Sequence, residues 1–324
     1  MRRPKNQILG KRSIPVKGTE GYIKKGNGHH FKSLEEKFLF MQRLSKEGHN
    51  IGVMSECLCV SRSGYYSWRK RIPSKRTIEN IRILKEIQTI HKESMNVYGS
   101  PSIFNKLKTQ GLIIGKNRVA RIMKNNGIRS IIMKKFKAPR TTDSEHNLGY
   151  SPNLLNQQFH VKKPNEVWVS DLTYIPYANG FLYLCQIKDL CTKKVVGWSI
   201  DTHMKTEMVL TALRNAVITQ KPKEGLIFHS DRGSQYASTD FREALTFHKM
   251  NQSMSRKGNC YDNAPAESFF STLKREFTNH RRFKNLEEAR SDIFYYIEIF
   301  YNRKRLHSAI DYKTPVMFEL EFAA

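Results

Sequence analysis

Three acidic residues stand beside or within segments whose pattern predicts regular secondary structure. Asp171 lies in the apolar run WVSDLTY, Asp231 directly follows the run LIFHS, and Glu267 lies in the first turns of a predicted helix, in APAESFFSTLK. An acid in such a position is costly to bury unless it binds something. Two hard divalent cations about 4 Å apart need several carboxylate oxygens, and such a pair activates a hydroxyl and stabilises a leaving 3′ oxygen. The three acids therefore suggest a metal site for phosphodiester chemistry.

A lysine follows the last of these acids at a distance of seven residues. At about 100° per residue, Glu267 and Lys274 project from one side of the helix, two turns apart. Phe269, Phe270 and Leu273 fall on a different stripe, which we expect to face a sheet. A cation beside the metals would hold a DNA phosphate. The alternative for Lys274 is a solvated helix face.

The segment around the acids has the pattern of strands followed by alternating helices and strands. The runs EVWVSDLTYIPY, FLYLCQIKDLC and KKVVGWSID predict three consecutive antiparallel strands. We expect a helix at 205–219, the strand LIFHSD, a helix at 239–248, a short apolar segment at 251–255 and a helix starting near 263. This order is that of an α/β RNase H-like core, with a mixed five-stranded sheet and flanking helices. We place this core at residues 161–280.

Two all-α segments precede the core, and both have the pattern of helix-turn-helix modules. We assign residues 33–75 to the first module, in which Ser61 is the expected N-cap of a basic, aromatic second helix. We assign residues 76–135 to the second, in which Ser100 caps a helix, Pro101 begins it, and a later helix ends at Gly127. The basic residues expected to contact DNA are Arg62 and Arg69 in the first module and Lys116, Arg118, Arg121 and Lys124 in the second.

The charge of the chain favours a polyanionic partner, of which nucleic acid is the commonest. The 324 residues contain 56 Lys and Arg against 29 Asp and Glu, a net charge of +27. Residues 101–140 hold eleven basic residues and no acid, whereas a merely solvated surface usually mixes the two signs. Residues 1–32 are basic and without periodicity, so we interpret them as a disordered tail. We interpret residues 136–160 as a linker.

The composition also argues against several other classes of protein. The sequence has no run of about 18 apolar residues and no apolar segment typical of a signal peptide, so we expect no membrane partner. Five irregularly spaced cysteines do not form a disulfide framework, which favours a cytoplasmic protein, associated with the nucleoid if DNA is its partner. Cys185 and Cys191 have no nearby His pair, and His29-His30 with Cys57 and Cys59 lack the spacing of a zinc site.

Several long motifs resemble one family of enzymes. Asp231 and Glu267 are separated by 35 residues, as in the Asp-Asp-35-Glu signature of retroviral integrases and DDE transposases. The segments DLTYI, HSDRGSQY, DNAPAESFFSTLKRE and YNRKRLHSAIDYKTP are similar to the OrfB-type transposases of the third insertion-sequence family, as are VSRSGYYSWRKR and YGSPSIFNKL with VARIMKNNGI upstream. The resemblance covers residues 35–318. Leu306 and Asp311 stand where the family often has Pro and Gly.

The resemblance implies an activity, a cofactor and partners. It implies that Asp171, Asp231 and Glu267 hold two Mg²⁺ (or Mn²⁺) ions per active site. It implies cleavage at the terminal inverted repeats of a mobile element, with water as the nucleophile. The freed 3′ hydroxyl then attacks target DNA, without a covalent enzyme intermediate. It further implies a homo-oligomer in a synaptic complex and, commonly in this family, fusion to the product of an upstream reading frame by frameshifting.

Other residues compete for a place in the site. Asp189, on the second predicted strand, is a candidate metal neighbour, and Asp262 is expected to support the turn before the helix of Glu267. His229 shares the orientation of Asp231 on its strand, so it either approaches phosphate or is a hydrogen-bonded core residue. Residues 281–324 are expected to form a helical extension packed on the core. In that extension Arg303 and Arg305 are candidate DNA contacts.

Two alternatives to a transposase remain open on the sequence. A non-catalytic helix-turn-helix repressor explains the charge but leaves the three spaced acids without a role. A nuclease that only hydrolyses has the same site chemistry, and only joined donor and target DNA distinguishes it from a transposase.

Overall fold

The computed structural model describes residues 31, 33–132 and 149–323. Residues 1–30 and 32 of the predicted tail, and residues 136–148 of the predicted linker, lie outside this part of the chain. The described residues divide into two compact units, one that ends at Glu79 and one that begins at Asn80. No helix among them is both long and apolar enough to span a membrane.

The described residues of the first unit form the short helices α1 (Leu34–Lys46), α2 (Ile51–Cys57) and α3 (Arg62–Lys70). Ser61 caps α3 as expected, because its side chain accepts a hydrogen bond from the backbone N–H of Gly64 at 3.2 Å. Spacings of three and four residues place the apolar side chains on the facing sides of the helices. Together they form a small core of Phe38, Met41, Leu44, Met54, Leu58 and Tyr65.

The second unit opens with helices that share a core with the chain that follows. They are α4 (Lys75–Glu93), in which the boundary between the units falls, α5 (Ser100–Thr109) and α6 (Lys116–Asn125). The prediction that Ser100 is a cap was wrong by one residue: Gly99 is the N-cap and makes no side-chain hydrogen bond, and Ser100 is the first helical residue. Gly127, at φ +67°, follows the end of α6 as expected.

A five-stranded mixed sheet forms the centre of the second unit. The strands are β1 (Val167–Tyr177), β2 (Gly180–Asp189), β3 (Val195–Asp201), β4 (Ile227–Ser230) and β5 (Asn251–Met254). Their order across the sheet is β3-β2-β1-β4-β5. The first three pair antiparallel, while β4 is parallel to β1 and β5 is parallel to β4. The predicted fold class is confirmed.

Helices cover both faces of this sheet because side chains alternate along each strand. On β2, Cys185 and Ile187 pack in a cluster with α7 (Thr206–Gln220) and α9 (Thr239–Phe247); the short helix α8 (Ser234–Ala237) adds to the same cluster. Leu182 and Leu184, with the opposite parity, pack in the cluster that contains the apolar stripe of α10 (Ala264–Glu276). The carboxylate-bearing helix therefore lies on one face of the sheet and α7 on the other.

The C-terminal extension packs on the face that carries α10. It contains α11 (Leu286–Phe294), a π-helical continuation Tyr295–Tyr301, and α12 (Pro315–Leu320). Asn285 caps α11, because its side-chain oxygen accepts a hydrogen bond from the Glu288 N–H at 2.8 Å. The buried stripe consists of Ala289, Ile293, Ile297 and Phe300.

Structural reasons accompany the two departures from the family pattern. The backbone N–H of Leu306 donates to the Tyr98 hydroxyl at 2.8 Å, a hydrogen bond that Pro has no N–H to make. Asp311 has φ +53°, in the left-handed region that Gly adopts without strain and that Asp tolerates better than most residues. Both positions shape the loop between the π-helical segment and α12.

Residues 149–160, which the sequence assigned to the linker, contact the core although they form no helix or strand. Leu155 is buried in a cluster with Val167, Val169 and Leu190. The backbone N–H of Leu154 donates to the Ser253 hydroxyl at 2.9 Å. A single apolar side chain produces no periodicity, so the sequence pattern gives no sign of this packing.

Replacing Gly197 with Ala should destabilise the sheet. Gly197 lies in β3 under α7, and a Cβ atom there would stand 2.3 Å from the Ala212 carbonyl oxygen and 2.7 Å from the Ala216 Cβ. Because backbone has to move, we expect the free energy of unfolding to fall by about 1–3 kcal/mol, measured by urea denaturation. Gly115→Ala, where no described residue lies within 4 Å of the added Cβ atom, is the control and should cost less. Equal effects would contradict the packing described here.

Candidate active site

The register of the sheet brings Asp171 and Asp231 to the same end of two neighbouring strands. In the parallel pair β1 and β4, Val169 is the partner of His229, and each aspartate lies two residues further along its strand direction. Both carboxyl groups are half-buried. When two parallel strands are neighbours, side chains at corresponding positions of the two strands lie side by side. The fold therefore unites two acids that are 60 positions apart in the chain.

Glu267 approaches from the helix that begins above β1. The side-chain amide of Asn263, just before α10, donates to the Ser170 carbonyl at 3.1 Å, which fixes the start of the helix beside Asp171. Glu267 is exposed in the first turn of α10. Its charge contributes to the pKa of Asp171, so the third acid acts on the same site.

The electrostatics of the three acids indicate a site with an excess of negative charge. Burial raises the pKa of Asp171 well above its ordinary value, and the charges of Asp231 and Glu267 raise it further. A hydrogen bond from the Leu172 N–H to Oδ1 of Asp171, at 2.8 Å, and the charge of Lys274 offset only part of this effect. A divalent cation would relieve the repulsion among the carboxylates.

The chemistry of the donors fits Mg²⁺ or Mn²⁺, which prefer carboxylate oxygen. In the part of the chain that the structure describes, no three acidic, His or Cys side chains already converge as a metal cage. One oxygen of Asp171 accepts from Leu172, and Oδ1 of Asp231 accepts from the Gly233 N–H at 3.0 Å. Because the three acids do not yet form such a cage, ion binding would require their side chains to move closer together.

Lys274 lies beside the acids, on the side of α10 that the helical spacing predicted. Its Nζ is 4.6 Å from the centre of the Tyr174 ring on β1. Burial lowers the pKa of Lys274, and the charge of Asp171 partly restores it. This ammonium is therefore close enough to Asp171 for their charges to interact.

The competing acids have structural partners. Oδ2 of Asp189 accepts from the Asn165 N–H at 2.7 Å, and its Oδ1 accepts from the N–H and hydroxyl of Thr192 at 2.7 and 2.8 Å. Asp262 is buried, and its two oxygens bind the Arg256 guanidinium at 3.0 and 2.8 Å. Asp189 thus closes the turn after β2, and Asp262 holds the loop before α10, as expected for a residue that supports this turn.

His229 is a core residue held by hydrogen bonds. Its Nδ1 lies 2.8 Å from the Ser253 hydroxyl and its Nε2 lies 3.3 Å from the Ser255 hydroxyl, and the side chain is fully buried. Burial lowers the pKa of His229 from 6.5 to about 4, against a smaller opposing effect of Asp262. Of the two roles that the sequence left open, the structure supports the structural one.

The low pKa of His229 predicts an acid sensitivity. Because the unfolded chain takes up the proton first, the stability present above pH 6.5 is lost as the pH falls to about 4, by about 3 kcal/mol. In His229→Gln this part of the pH dependence should disappear. Chemical denaturation of both proteins at pH 7 and pH 4.5 measures it. If the free energy of unfolding differs between pH 7 and pH 4.5 by the same amount in both proteins, His229 is not responsible for the acid sensitivity.

The predicted DNA contacts differ in their surroundings. Arg62 and Arg69 on α3 and Lys116, Arg121 and Lys124 on α6 have exposed side chains. The remaining candidates are Arg118, half-buried with its Nε 2.9 Å from the Asn80 side-chain oxygen, and Arg303, which is exposed.

Arg305 requires a correction. Instead of a surface cation, it is the partner of the buried Glu276, with N–O distances of 2.7 to 3.2 Å. Burial of a carboxylate requires such a counter-charge. The main role of Arg305 is therefore to neutralise Glu276 between α10 and the extension.

Two buried polar residues of β2 escaped the sequence analysis. Gln186 is the cross-strand partner of Asp171, and both atoms of its fully buried amide lack a hydrogen-bond partner among the described residues. Lys188, two residues on, is 5% exposed, and its Nζ donates to the Pro265 carbonyl. The available signal was the pair of polar residues at alternate positions in FLYLCQIKDLC, on the face of Asp171.

Comparison with known families agrees with this architecture. Family models described as integrase core domain match residues 161–260 and 248–315, and one described as HTH-like domain matches residues 79–136. The HTH-like match coincides with α4 to α6. The two core matches together cover the sheet, α10 and most of the C-terminal extension.

Curated relatives are similar over most of the chain. The uncharacterized 31 kDa protein of insertion element IS600 of Shigella sonnei is 45% identical over 83% of this chain and 98% of its own length. The transposase of IS904 of Lactococcus lactis is 40% identical over 77% and 98%, and the InsF transposase of IS3A of Escherichia coli is 35% identical over 87% and 98%.

Solved structures give weaker similarity. A chain of a simian T-cell lymphotropic virus intasome is 14% identical over 71% of this chain and 73% of its own length, with a TM-score of 0.42. The HTLV-2 integrase catalytic core domain in complex with magnesium is 17% identical over 49% and 99%, with a TM-score of 0.38. The family assignment depends on the family models and the insertion-sequence relatives, and on these grounds the chain belongs to the OrfB-type DDE transposases of the third insertion-sequence family.

Proposed function

We propose that Asp171, Asp231 and Glu267 are the acids with which this transposase holds two Mg²⁺ ions. The observation that carries the proposal is that β1, the end of β4 and the start of α10 bring the three carboxyl groups close enough for the charges of Asp231 and Glu267 to add to the effect of burial in raising the pKa of Asp171. When bound, such ions activate the attacking oxygen and stabilise the leaving 3′ oxygen.

The protein side chains around the acids have distinct tasks in this proposal. Lys274 holds a nonbridging phosphate oxygen of the strand to be cut, because its ammonium lies on the side of α10 that carries Glu267. Asn263 positions α10 through its bond to the Ser170 carbonyl. Water attacks in the cleavage step and the freed 3′ hydroxyl attacks in the joining step, at the same site.

In this proposal the two helical modules bind the DNA at the ends of the element. Their boundaries are those predicted from the sequence. We propose that the first module reads the terminal inverted repeats through Arg62 and Arg69 on α3. The second module and the extension add phosphate contacts through Lys116, Arg118, Arg121, Lys124 and Arg303. Several copies of the chain assemble on two ends and a target, some of them fused by frameshifting to an upstream product. Because its substrate is bacterial DNA, the protein acts in the cytoplasm, on the nucleoid.

We expect DNA binding to fall steeply with salt. If six to ten phosphates are neutralised, the affinity for an element end should drop by about 10³-fold or more between 50 and 200 mM salt. Replacing Arg121 and Lys124 with Gln should reduce the slope of log affinity against log salt by about 0.9 for each lost contact. Fluorescence anisotropy measures this, with Lys223→Gln, an exposed lysine between α7 and β4, as control. A DNA affinity that does not change with salt concentration would exclude the basic helices as the main DNA contacts.

The activity separates the transposase from its two rivals. A strand-transfer assay with labelled element ends and plasmid target should yield covalently joined donor and target DNA that depends on Mg²⁺ or Mn²⁺. A repressor yields no cleavage, and a purely hydrolytic nuclease yields nicked ends without joints. The insertion-sequence relatives and the integrase core favour joining.

A further inference from the structure

A polar cavity of about 440 Å³ lies beside α10, on a different side from Lys274. It is bounded by α10, the end of β2 with the turn that follows it, the start of α5, and the segment after the π-helix. Pro265 and Ser268, which flank Glu267 in the sequence, belong to its lining. The cavity therefore begins within one helical turn of the proposed catalytic glutamate.

The cavity has an excess of positive charge. Lys188, Lys193 and Arg305 line it, and none of its described lining residues is acidic. His307 also lines the cavity, but burial lowers its pKa well below the ordinary value, so its imidazole adds no charge near pH 7. Glu276 neutralises Arg305 from behind. The two lysines have no such partner in the lining, so two ammonium groups face a cavity without a carboxylate.

The nearest acid does not compensate for them. Burial lowers the pKa of Lys193, and Asp189 opposes this effect only in part, with its oxygens accepting hydrogen bonds from Asn165 and Thr192. Burial, aided by Lys193 and Arg305, lowers the pKa of Lys188 to about 7. Cations that disfavour one another's charge are stabilised by an anion placed between them.

The lining retains donors for such an anion. The Nζ of Lys188 donates to the Pro265 carbonyl and that of Lys193 to the Leu190 carbonyl, so each ammonium keeps further N–H groups. The hydroxyls of Ser102, Ser268 and Ser308 also line the cavity. A set of ammonium and hydroxyl donors without acidic groups is what a phosphate with several acceptor oxygens requires.

We propose that this cavity binds a phosphate group, and that the source is the backbone of the DNA strand that passes the active site. The assignment to DNA rests on the proposed function, whereas the phosphate chemistry does not. A phosphate held here would anchor the strand beside α10 while Lys274 holds it on the other side of the helix. The cavity would thus fix the register of the DNA relative to Glu267.

Two measurements on the full chain separate the possible sources. The first follows the melting temperature while inorganic phosphate replaces chloride at constant ionic strength, in wild type, Lys188→Gln and Lys193→Gln. Lys193 is half-buried in a turn, so its variant serves if the buried Lys188 variant does not fold. The second measures the affinity for element-end DNA in which single phosphates are replaced by neutral methylphosphonates. Lys223→Gln is the matched charge control in both.

We expect phosphate to raise the melting temperature of wild type and Lys223→Gln but not of the two cavity variants. One methylphosphonate position should weaken wild-type DNA binding by about tenfold and leave Lys193→Gln binding unchanged, because the contact is already lost. If inorganic phosphate raises the melting temperature but no methylphosphonate position has this effect on DNA binding, the DNA backbone is not the source of the phosphate. Absence of both effects would overturn the site itself. The phosphate titration needs no catalysis, so its result is independent of whether the three acids are the catalytic set.

Discussion

Asp231→Asn should abolish cleavage and strand transfer while the protein still binds element ends with nearly wild-type affinity. Asn keeps the size of the side chain and an oxygen that can accept a hydrogen bond from the Gly233 N–H, as Oδ1 of Asp231 does at 3.0 Å. It removes a negative charge from a site that needs all three to hold divalent ions. The loss of several kcal/mol of transition-state stabilisation corresponds to a rate reduction of about 10³-fold or more.

The same substitution at an acid outside the site distinguishes the loss of metal binding from a general effect of removing a negative charge. Asp201 is an exposed acid at the end of β3, and its Oδ1 accepts from the Thr202 N–H at 2.6 Å, which Asn can also do. Asp201→Asn should transfer strands at the wild-type rate. Gel-based strand-transfer assays and anisotropy on the same DNA give both readouts. Asp231→Asn with activity within tenfold of wild type would remove Asp231 from the catalytic set.

Arg305→Met should have the largest effect on stability. Glu276 is 4% exposed, and Arg305 donates to it from Nε at 2.9 Å and from a terminal nitrogen at 2.7 Å, while the Tyr296 hydroxyl donates at 3.0 Å. Without the guanidinium, a buried carboxylate keeps its desolvation cost and loses its counter-charge. The free energy of unfolding should fall by about 3–5 kcal/mol in urea denaturation.

Two further variants locate the cause of that loss. Removing both charges, in Arg305→Met with Glu276→Met, should recover much of the stability, because no unpaired charge is then buried. Lys249→Met, which breaks an exposed pair with Glu224, should change stability little. A stable Arg305→Met protein that binds DNA less tightly would instead support the original prediction that Arg305 contacts DNA.

The case of Arg305 shows why side-chain roles in a basic run are hard to predict. Arg303, Lys304 and Arg305 are equivalent in the sequence, and a run of three cations is typical of a nucleic-acid contact. What distinguishes Arg305 is Glu276, 29 residues earlier, and only the packing of the extension on α10 brings the two together. Periodicity reports which face of an element is buried, but it does not report a partner on another element.

The strands and the positions of the aspartates along them were more predictable. The runs around Asp171 alternate aromatic and β-branched residues over lengths typical of strands, and the turn residues between them are distinct. A strand pattern followed by an acid also located Asp231. By contrast, the long helix α4 was not located, because its exposed side contains Ile78 and Ile81 beside the buried Ile83, Ile87 and Ile90, which weakens the contrast between faces.

Gln186, whose amide has no hydrogen-bond partner among the described residues, and the buried Lys188 are consistent with a general rule about where sequence patterns fail. A polar side chain inside an apolar strand contradicts the local pattern, and such conflicts concentrate at functional sites. Both side chains lie on the face of the sheet on which Asp171 and α10 lie. Sequence periodicity alone would have placed apolar side chains there.

The most direct test of the account is a crystal structure of the transposase on element-end DNA with Mn²⁺, in which anomalous scattering locates the ions. The account predicts two Mn²⁺ ions about 4 Å apart that are ligated by Asp171, Asp231 and Glu267, and the loss of at least one ion in Asp231→Asn. Manganese bound elsewhere, or three acids that bind no ion while strand transfer proceeds, would contradict it.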